Sequence, residues 1–375
     1  MAEYLTLDDV DVSGKKVLVR SDLNVPLEGS TVADDFRIRA ALPTLERLVS
    51  SGADVTVCSH LGRPKSEDPS LSMRPVANAM DRMTDLELGF ENGGDITVLE
   101  NTRFDPGETT NDPETARRLA DGFELFVQDA FGSVHRAHAS TVGVAELVRS
   151  VAGPLLDTEL TSLGRFLDGA ESPYTVVLGG AKVSDKLAVI ENVLPRVDHM
   201  LIGGGMCFTF LAALGHEVGD SLVDETMLVR VSELAKHERI SLPTDVVVAD
   251  RFAEDSEYEV TPVTNIPRGW IGLDIGPNSA RNFASVVRDS ASVFWNGPMG
   301  VFEWEAYRAG TESVARAMAE CDGFTAVGGG DSVAALRLLG LEGAVSHLST
   351  GGGAGLELLE GKILPGVAVL ERWVK

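Results

Sequence analysis

Two sets of side chains in this sequence have the types and spacing for anion chemistry. The first lies in 176–186, VVLGGAKVSDK, where a short apolar run ends in Gly179-Gly180 and is followed by Lys182 and Lys186. Strand, glycine turn and helix start are a usual geometry for holding a phosphate. Glycine lets the backbone approach an anion, and free N–H groups at the helix start point at it. At a spacing of four, the two lysines are expected on one helix face. The chain has only 8 lysines in 375 residues, so two in this stretch stand out. From these residues alone, an ordinary turn carrying two surface lysines is an equally good reading.

The second set is cationic and polar. Arg20, Asp22, Asn24, His60, Arg63, Arg103, His135, Arg136 and His138 follow short apolar runs, and Arg37 opens the first long helical pattern. Arginine forks suit carboxylate and phosphate oxygens, two donors at a time. Any one of these arginines can instead cap a helix or pair with an acid. As a set, in a chain of net charge −25, they point to a local anion site.

The elements that must position these residues can be read from periodicity. In the first half, β-rich runs at 16–20, 54–58, 96–99 and 125–127 alternate with helical patterns at 37–50 and 113–121. In the second half, runs at 176–178, 200–202, 246–249, 292–295, 325–327 and 345–348 continue the theme. Such alternation implies parallel βαβ units, whose ligands bind outside the carboxyl ends of the strands. A helix over 155–167, bounded by Gly153-Pro154 and by 169–173, is expected to connect two domains.

Second-half loops carry glycine where first-half loops carry cations: Gly179-Gly180, Gly203 to Gly205, Gly328 to Gly330 and Gly351 to Gly353. Four such clusters suggest close backbone approach to a nucleotide. Neither GxxxxGK[ST] nor GxGxxG occurs, which argues against a P-loop kinase and a standard dinucleotide enzyme. Asp331 follows one glycine triplet. It can hold Mg²⁺ on nucleotide phosphates or serve as the N-cap of the following helix. No GxSxG elbow favours a serine hydrolase, and the HRAH stretch matches no common zinc pattern.

Bulk properties narrow the class. A length of 375 residues implies two domains, and 44% hydrophobic residues support sizeable cores. No apolar run suggests a membrane span, the acidic start lacks a signal-peptide core, and three scattered cysteines fit a reduced cytoplasmic protein. The negative charge argues against nucleic-acid and acidic-membrane partners. Arginine outnumbers lysine 24 to 8. A dispersed acidic, lysine-poor surface suits a salt-adapted protein, with a merely acidic mesophile protein as the alternative. From the residues, one anion-binding domain and one glycine-rich nucleotide domain are expected, a pairing suited to phosphoryl transfer.

The motifs RSDLNVP (20–26), SHLGRP (59–64), LENTRF (99–104), DAFGSVHRAH (129–138), LGGAKVSDK (178–186), LIGGGMCFTFL (201–211), GLDIGPNS (272–279), WNGPMGVFEWE (295–305), GGGDS (328–332) and VSHLSTGGGAGLELLEGKILPGV (345–367) resemble the phosphoglycerate kinase family. The resemblance runs in unbroken order from about residue 15 to 370. It implies an α/β protein with two doubly wound parallel-sheet (Rossmann-like) domains joined by a hinge helix. The bounds it suggests are 1–154 for a triose-phosphate domain, 155–168 for the helix and 169–365 for a nucleotide domain. A tail over about 366–375 would fold back on the first domain. The implied activity is reversible phosphoryl transfer between 1,3-bisphosphoglycerate and Mg-ADP, giving 3-phosphoglycerate and Mg-ATP, in glycolysis and gluconeogenesis. A cytoplasmic monomer is expected, with Mg²⁺ as the metal.

Carried over by position, Asp22 and Asn24 resemble triose contacts, and Arg37 the catalytic arginine. His60, Arg63, Arg103 and Arg136 resemble the basic patch for the 3-phosphate. Arg20 is also a family arginine, either on the ligand or supporting Asp22. Lys182 and Lys186 resemble phosphate-contacting lysines, with Lys182 at the transferring phosphoryl and Lys186 on the nucleotide. Gly180, Gly204, Asn296, Pro298, Glu303, Gly329, Gly330 and Ser332 fall to the nucleotide, with Glu303 on the ribose. Asp331 is the metal-linked acid, and Gly352 and Gly353 lie in the loop near the moving phosphoryl. Ser332 stands where the family usually has Thr, which keeps a hydroxyl. Thr102 stands where Leu or Val is commoner, a change read as neutral.

Overall fold

The computed structural model describes residues 3–374; residues 1, 2 and 375, which the expected domain bounds include, lie outside the described residues. The chain divides into two compact units. One comprises the residues up to Thr161 with the segment from Lys362 onward, and the other comprises Ser162–Gly361.

The first unit contains β1 (Lys16–Arg20), β2 (Leu27–Glu28), β3 (Thr31–Val32), β4 (Asp54–Cys58), β5 (Leu88–Phe90), β6 (Ile96–Val98), β7 (Leu125–Gln128) and β8 (Ser150–Ala152). Six of these form a parallel sheet in the order β5-β6-β4-β1-β7-β8, and β2 and β3 form a small antiparallel hairpin. Val17, Leu18 and Val19 of β1 are fully buried, as a strand covered on both faces requires. The helix Phe36–Ser50 places Ile38, Ala41, Leu42, Leu45 and Leu48 in the core at helical spacing. The sheet order turns at β1, between β4 and β7. The loops after β1 and β7 therefore border the crevice where open α/β sheets bind ligands.

The C-terminal segment completes this unit. The Gly366 N–H donates to the Val134 carbonyl at 2.8 Å, and the Trp373 indole N–H donates to the Ala145 carbonyl at 2.8 Å. The return begins at Lys362, not at the expected 366. The Gly353–Leu359 helix has ended there, and Gly361 turns the chain at a φ of 79°.

The second unit contains β9 (Tyr174–Leu178), β10 (His199–Ile202), β11 (Ile240–Ser241), β12 (Asp245–Ala249), β13 (Tyr258–Pro262), β14 (Ile271–Ile275), β15 (Ser292–Asn296), β16 (Phe324–Gly328) and β17 (His347–Leu348). Its main sheet is parallel in the order β11-β10-β9-β15-β16-β17, a doubly wound arrangement that turns between β9 and β15. The run at 246–249, expected among the parallel strands, is instead the centre of a separate antiparallel sheet, β13-β12-β14. Its central strand is buried throughout, whereas β13 buries only Thr261.

The expected connecting helix is shorter than 155–168: it spans Pro154–Gly164, and the division between units falls inside it, at Thr161/Ser162. Beyond Gly164 the chain turns to bury Phe166 against Tyr174, Phe294 and Phe324, at ring distances of 5.5, 5.6 and 5.9 Å. That aromatic packing holds residues 165–168 out of helical continuation. Among the described residues, no helix is long and apolar enough to cross a membrane.

Candidate functional site

In the first unit, the loops after β1, β4 and β7 and the turn Thr102–Phe104 bring the cations together. Arg20 ends β1 and is fully buried. Its Nε donates to Ser140 Oγ at 2.8 Å, one terminal nitrogen donates to the Ser21 carbonyl at 2.5 Å, and the other lies 3.0 Å from His60 Nδ1. Each nitrogen of the Arg20 guanidinium is thus turned to a protein partner. It does not support Asp22: the Asp22 carboxylate accepts instead from Arg37 at 3.0 Å.

Because arginine only donates, His60 Nδ1 accepts and its ring proton sits on Nε2. His60 is held neutral, its pKa pushed well below the usual value by burial first and then by Arg20, Arg103 and Arg37. The Asn24 side-chain oxygen accepts from the Gly62 N–H at 2.8 Å, and Arg103 donates to the Gly62 carbonyl at 2.5 Å. Those two bonds fix the backbone immediately before Arg63. Arg63 and Arg136 are exposed.

The electrostatics agree with this crowding. Burial, then Arg136 and Arg20, push the Arg103 pKa down to about 10, and burial pushes His138 down to about 4. Cations close enough to depress one another are a standing attraction for an anion. The Nε of Arg103 is buried with no partner among the described residues, an unused donor inside the cluster. One residue that the sequence did not single out belongs here. Glu108 is fully buried and accepts from Ser140 Oγ at 2.6 Å and from the Ser140 N–H at 2.9 Å. Thr102, read from sequence as a neutral change, donates to the same carboxylate at 3.3 Å.

In the second unit, a cavity of about 480 Å³ opens where the sheet turns between β9 and β15. Its lining includes Gly180, Lys182, Lys186, Asn296, Gly329, Gly330, Asp331, Ser332, Gly352 and Gly353. The loops are closely interlocked. The Gly180 N–H donates to the Pro298 carbonyl at 2.9 Å, and the Gly297 N–H donates to Ser332 Oγ at 2.6 Å. A Cβ on Gly179 would lie 2.1 Å from the Pro298 oxygen, so only glycine fits there. Gly204 and Pro298 form this scaffold without lining the cavity, and Glu303 is exposed outside its lining. Asp185 lines it and was not anticipated, although it sits between the two lysines.

Two local expectations change. Lys182 and Lys186 do not share a helix face, because the helix begins at Leu187 with Lys186 as its N-cap. Val183 is buried and its carbonyl accepts from the Lys186 N–H at 3.0 Å, so the chain turns at Ser184-Asp185, both turn-favouring residues. Both lysines still reach the cavity. Lys186 is mostly buried, which lowers its pKa against the opposing influence of Asp185 and Asp331, and its ammonium bonds to the Asn296 side-chain oxygen. Asp331 is not an N-cap: Gly329 holds that position at a φ of 89°, and Asp331 is the second residue of the helix Gly330–Leu338. Its carboxylate is left to the cavity.

Among the described residues, no group of three or more His, Cys, Asp or Glu is arranged to hold a metal. One or two carboxylates beside lysines and glycine N–H groups suit Mg²⁺ that arrives with nucleotide phosphates, its remaining ligands being phosphate oxygens and water. The residues present fit that ion in that role.

The phosphoglycerate kinase family model matches residues 7–362. The chain is 52% identical to phosphoglycerate kinase of Rubrobacter xylanophilus, covering 96% of this chain and 97% of that one. It is 51% identical to phosphoglycerate kinase of Salinispora tropica, covering 98% and 99%. Among solved structures, phosphoglycerate kinase from Coxiella burnetii is similar with a TM-score of 0.90 at 38% identity, covering all of both chains. The enzyme from Pyrococcus horikoshii OT3 gives 0.85 at 30% identity, covering 98% of this chain and 99% of that one.

Proposed function

The chain belongs to the phosphoglycerate kinase family of glycolytic kinases, and from that membership we propose that it transfers a phosphoryl group between 1,3-bisphosphoglycerate and Mg-ADP, reversibly. The observation that carries this reading is the cation cluster of the first unit, in a chain whose net charge is −25. A substrate with one carboxyl group and no terminal phosphate would leave several of those cations without a partner. That tells against another small acyl phosphate.

In this reading the first unit binds the triose and the second the nucleotide. His60, Arg63, Arg103 and Arg136 take the terminal phosphate, and Asp22 and Asn24 orient the triose. Arg37 and Lys182 neutralise the equatorial oxygens of the moving phosphoryl, with the backbone N–H groups of Gly352 and Gly353. Lys186, Asn296, Gly180, Gly329, Gly330 and Ser332 hold the nucleotide phosphates, Gly204 and Pro298 shape the loops around the nucleotide, and Glu303 serves its ribose. Asp331 would hold Mg²⁺, which neutralises phosphate charge when bound.

No general base is needed. The acceptor in the ATP-consuming direction is a carboxylate, ionised at neutral pH. The work is therefore positioning and charge stabilisation away from water. We assign the hinge to the helix Pro154–Gly164, because the chain passes from one unit to the other within it. The protein is proposed to act as a cytoplasmic monomer.

An assay coupling ATP consumption to added 3-phosphoglycerate tests the reaction. Turnover with 3-phosphoglycerate and Mg-ATP is expected. Turnover only with a carboxylic acid lacking the phosphate would overturn the substrate assignment.

A further inference from the structure

We propose that Glu108 is a positioning residue for the anion site of the first unit, acting through Ser140 and Arg20 on His60. The inference rests on the reading of that cluster as the triose-phosphate site.

The chain of contacts has one possible direction. Arg20 donates its Nε–H to Ser140 Oγ at 2.8 Å. The Ser140 hydroxyl has a single proton, and it goes to Glu108 Oε1 at 2.6 Å. The other Glu108 oxygen accepts the Ser140 N–H at 2.9 Å. Arg20 also donates to His60 Nδ1 at 3.0 Å, which leaves the His60 Nε2–H as the outward donor. Glu108, Ser140 and Arg20 are fully buried, so water cannot replace a lost partner.

Two further groups converge on the same carboxylate. Thr102 donates to Oε1 at 3.3 Å, and His138 Nδ1 lies 3.7 Å from it. The Ala139 N–H donates to the Glu108 backbone carbonyl at 2.9 Å. Glu108 therefore joins the turn carrying Arg103 to the loop carrying Arg136 and His138. A carboxylate can accept from all these donors together. A glutamine cannot, because its amide nitrogen only donates. In Glu108→Gln, the donors now shared by two oxygens compete for one. The Arg20 guanidinium then loses its fixed orientation, and His60 loses the bond that selects its tautomer.

The test uses the intact protein labelled with ¹⁵N-histidine, read by long-range ¹H–¹⁵N correlation, together with steady-state kinetics. In the wild type, His60 is expected to show an accepting Nδ1 and a protonated Nε2, and to respond to 3-phosphoglycerate. Glu108→Gln is expected to abolish that single-tautomer signature and to raise KM for 3-phosphoglycerate about tenfold, with KM for ATP unchanged. Thr102→Val, which removes one donor and keeps the shape, is expected to move the His60 signals in the same direction by less. If Glu108→Gln does not fold, Thr102→Val and Ser140→Ala carry the test.

Unchanged His60 signals and an unchanged triose KM in the folded variants would overturn the positioning role. A wild-type His60 that ignores 3-phosphoglycerate would instead overturn the reading of the site itself, so the two failures are distinguishable.

Discussion

Asp22 accepts a hydrogen bond from Arg37 at 3.0 Å, and the same arginine nitrogen donates to the Asn24 carbonyl at 3.0 Å. The second residue of a long helix is thereby tied to the loop after β1, with the Arg37 side chain still 28% exposed. Arg37→Ala should lower kcat by about 10², the scale of a lost transition-state donor. Near-normal kcat in the purified variant would remove Arg37 from the phosphoryl group.

Lys182 and Lys186 should separate in kinetics as they do in structure. Lys182 is exposed in the loop, whereas Lys186 is mostly buried against Asn296. Lys182→Ala is expected to lower kcat by about 10² with little change in nucleotide KM. Lys186→Ala is expected chiefly to raise nucleotide KM. The opposite pattern would exchange their roles.

The cavity glycines are not equivalent. A Cβ on Gly179 would meet the Pro298 oxygen at 2.1 Å, whereas a Cβ on Gly330 meets nothing within 4 Å. Gly179→Ala should destabilise by about 1–3 kcal/mol in denaturant titration. Gly330→Ala should stay within about 0.5 kcal/mol of the parent and affect only nucleotide KM. Equal losses of stability would contradict the interlocked-loop description.

Stability should respond to Asp274 over an unusual pH window. Burial raises its pKa to about 8, against two backbone N–H donors that lower it. An unfolded aspartate ionises near pH 3.8, so between about pH 4 and 8 the folded state holds a proton that the unfolded state lacks. Stability from this group therefore falls as pH rises through that interval. Asp129, raised by burial to about 6, adds the same sign over about pH 4 to 6. In thermal melts, the wild type should lose ground to Asp274→Asn as pH rises from 5 to 8. A constant difference would show that the group titrates alike in both states.

Salt should raise both stability and turnover. Surface arginines already pair with acids, as in Arg39–Asp35, Arg230–Glu191 and Arg316–Glu312, yet the net charge remains −25. Exposed pairs of this kind contribute little, and unpaired acids repel until counterions screen them. The melting midpoint and activity are expected to climb from dilute buffer to molar potassium chloride. Activity undiminished without added salt would count against salt adaptation.

The parallel sheets were legible because their strands are continuous apolar runs closed by glycine or polar loops; Lys16–Arg20 is such a run. The cavity residues were legible because they follow those strands directly. What escaped depends on partners distant in sequence. Glu108 has no spacing to Ser140 that marks it, since only the fold brings them within 2.6 Å. Thr102 looked neutral for the same reason. The Lys182 loop is not legible because a spacing of four fits a helix as well as a turn, and the burial of Val183 decides between them. The connecting helix ended early because Phe166 joins an aromatic cluster whose other rings belong to β9, β15 and β16.

The division of the chain also orders its synthesis. The second unit is continuous from Ser162 to Gly361, while the first lacks its closing segment until Lys362 and the residues after it emerge. Gly366 and Trp373 supply the bonds to Val134 and Ala145, and both are translated after the whole of the second unit. In order of synthesis, the unit encoded second is thus the first whose chain is complete, and the one begun earliest is closed last.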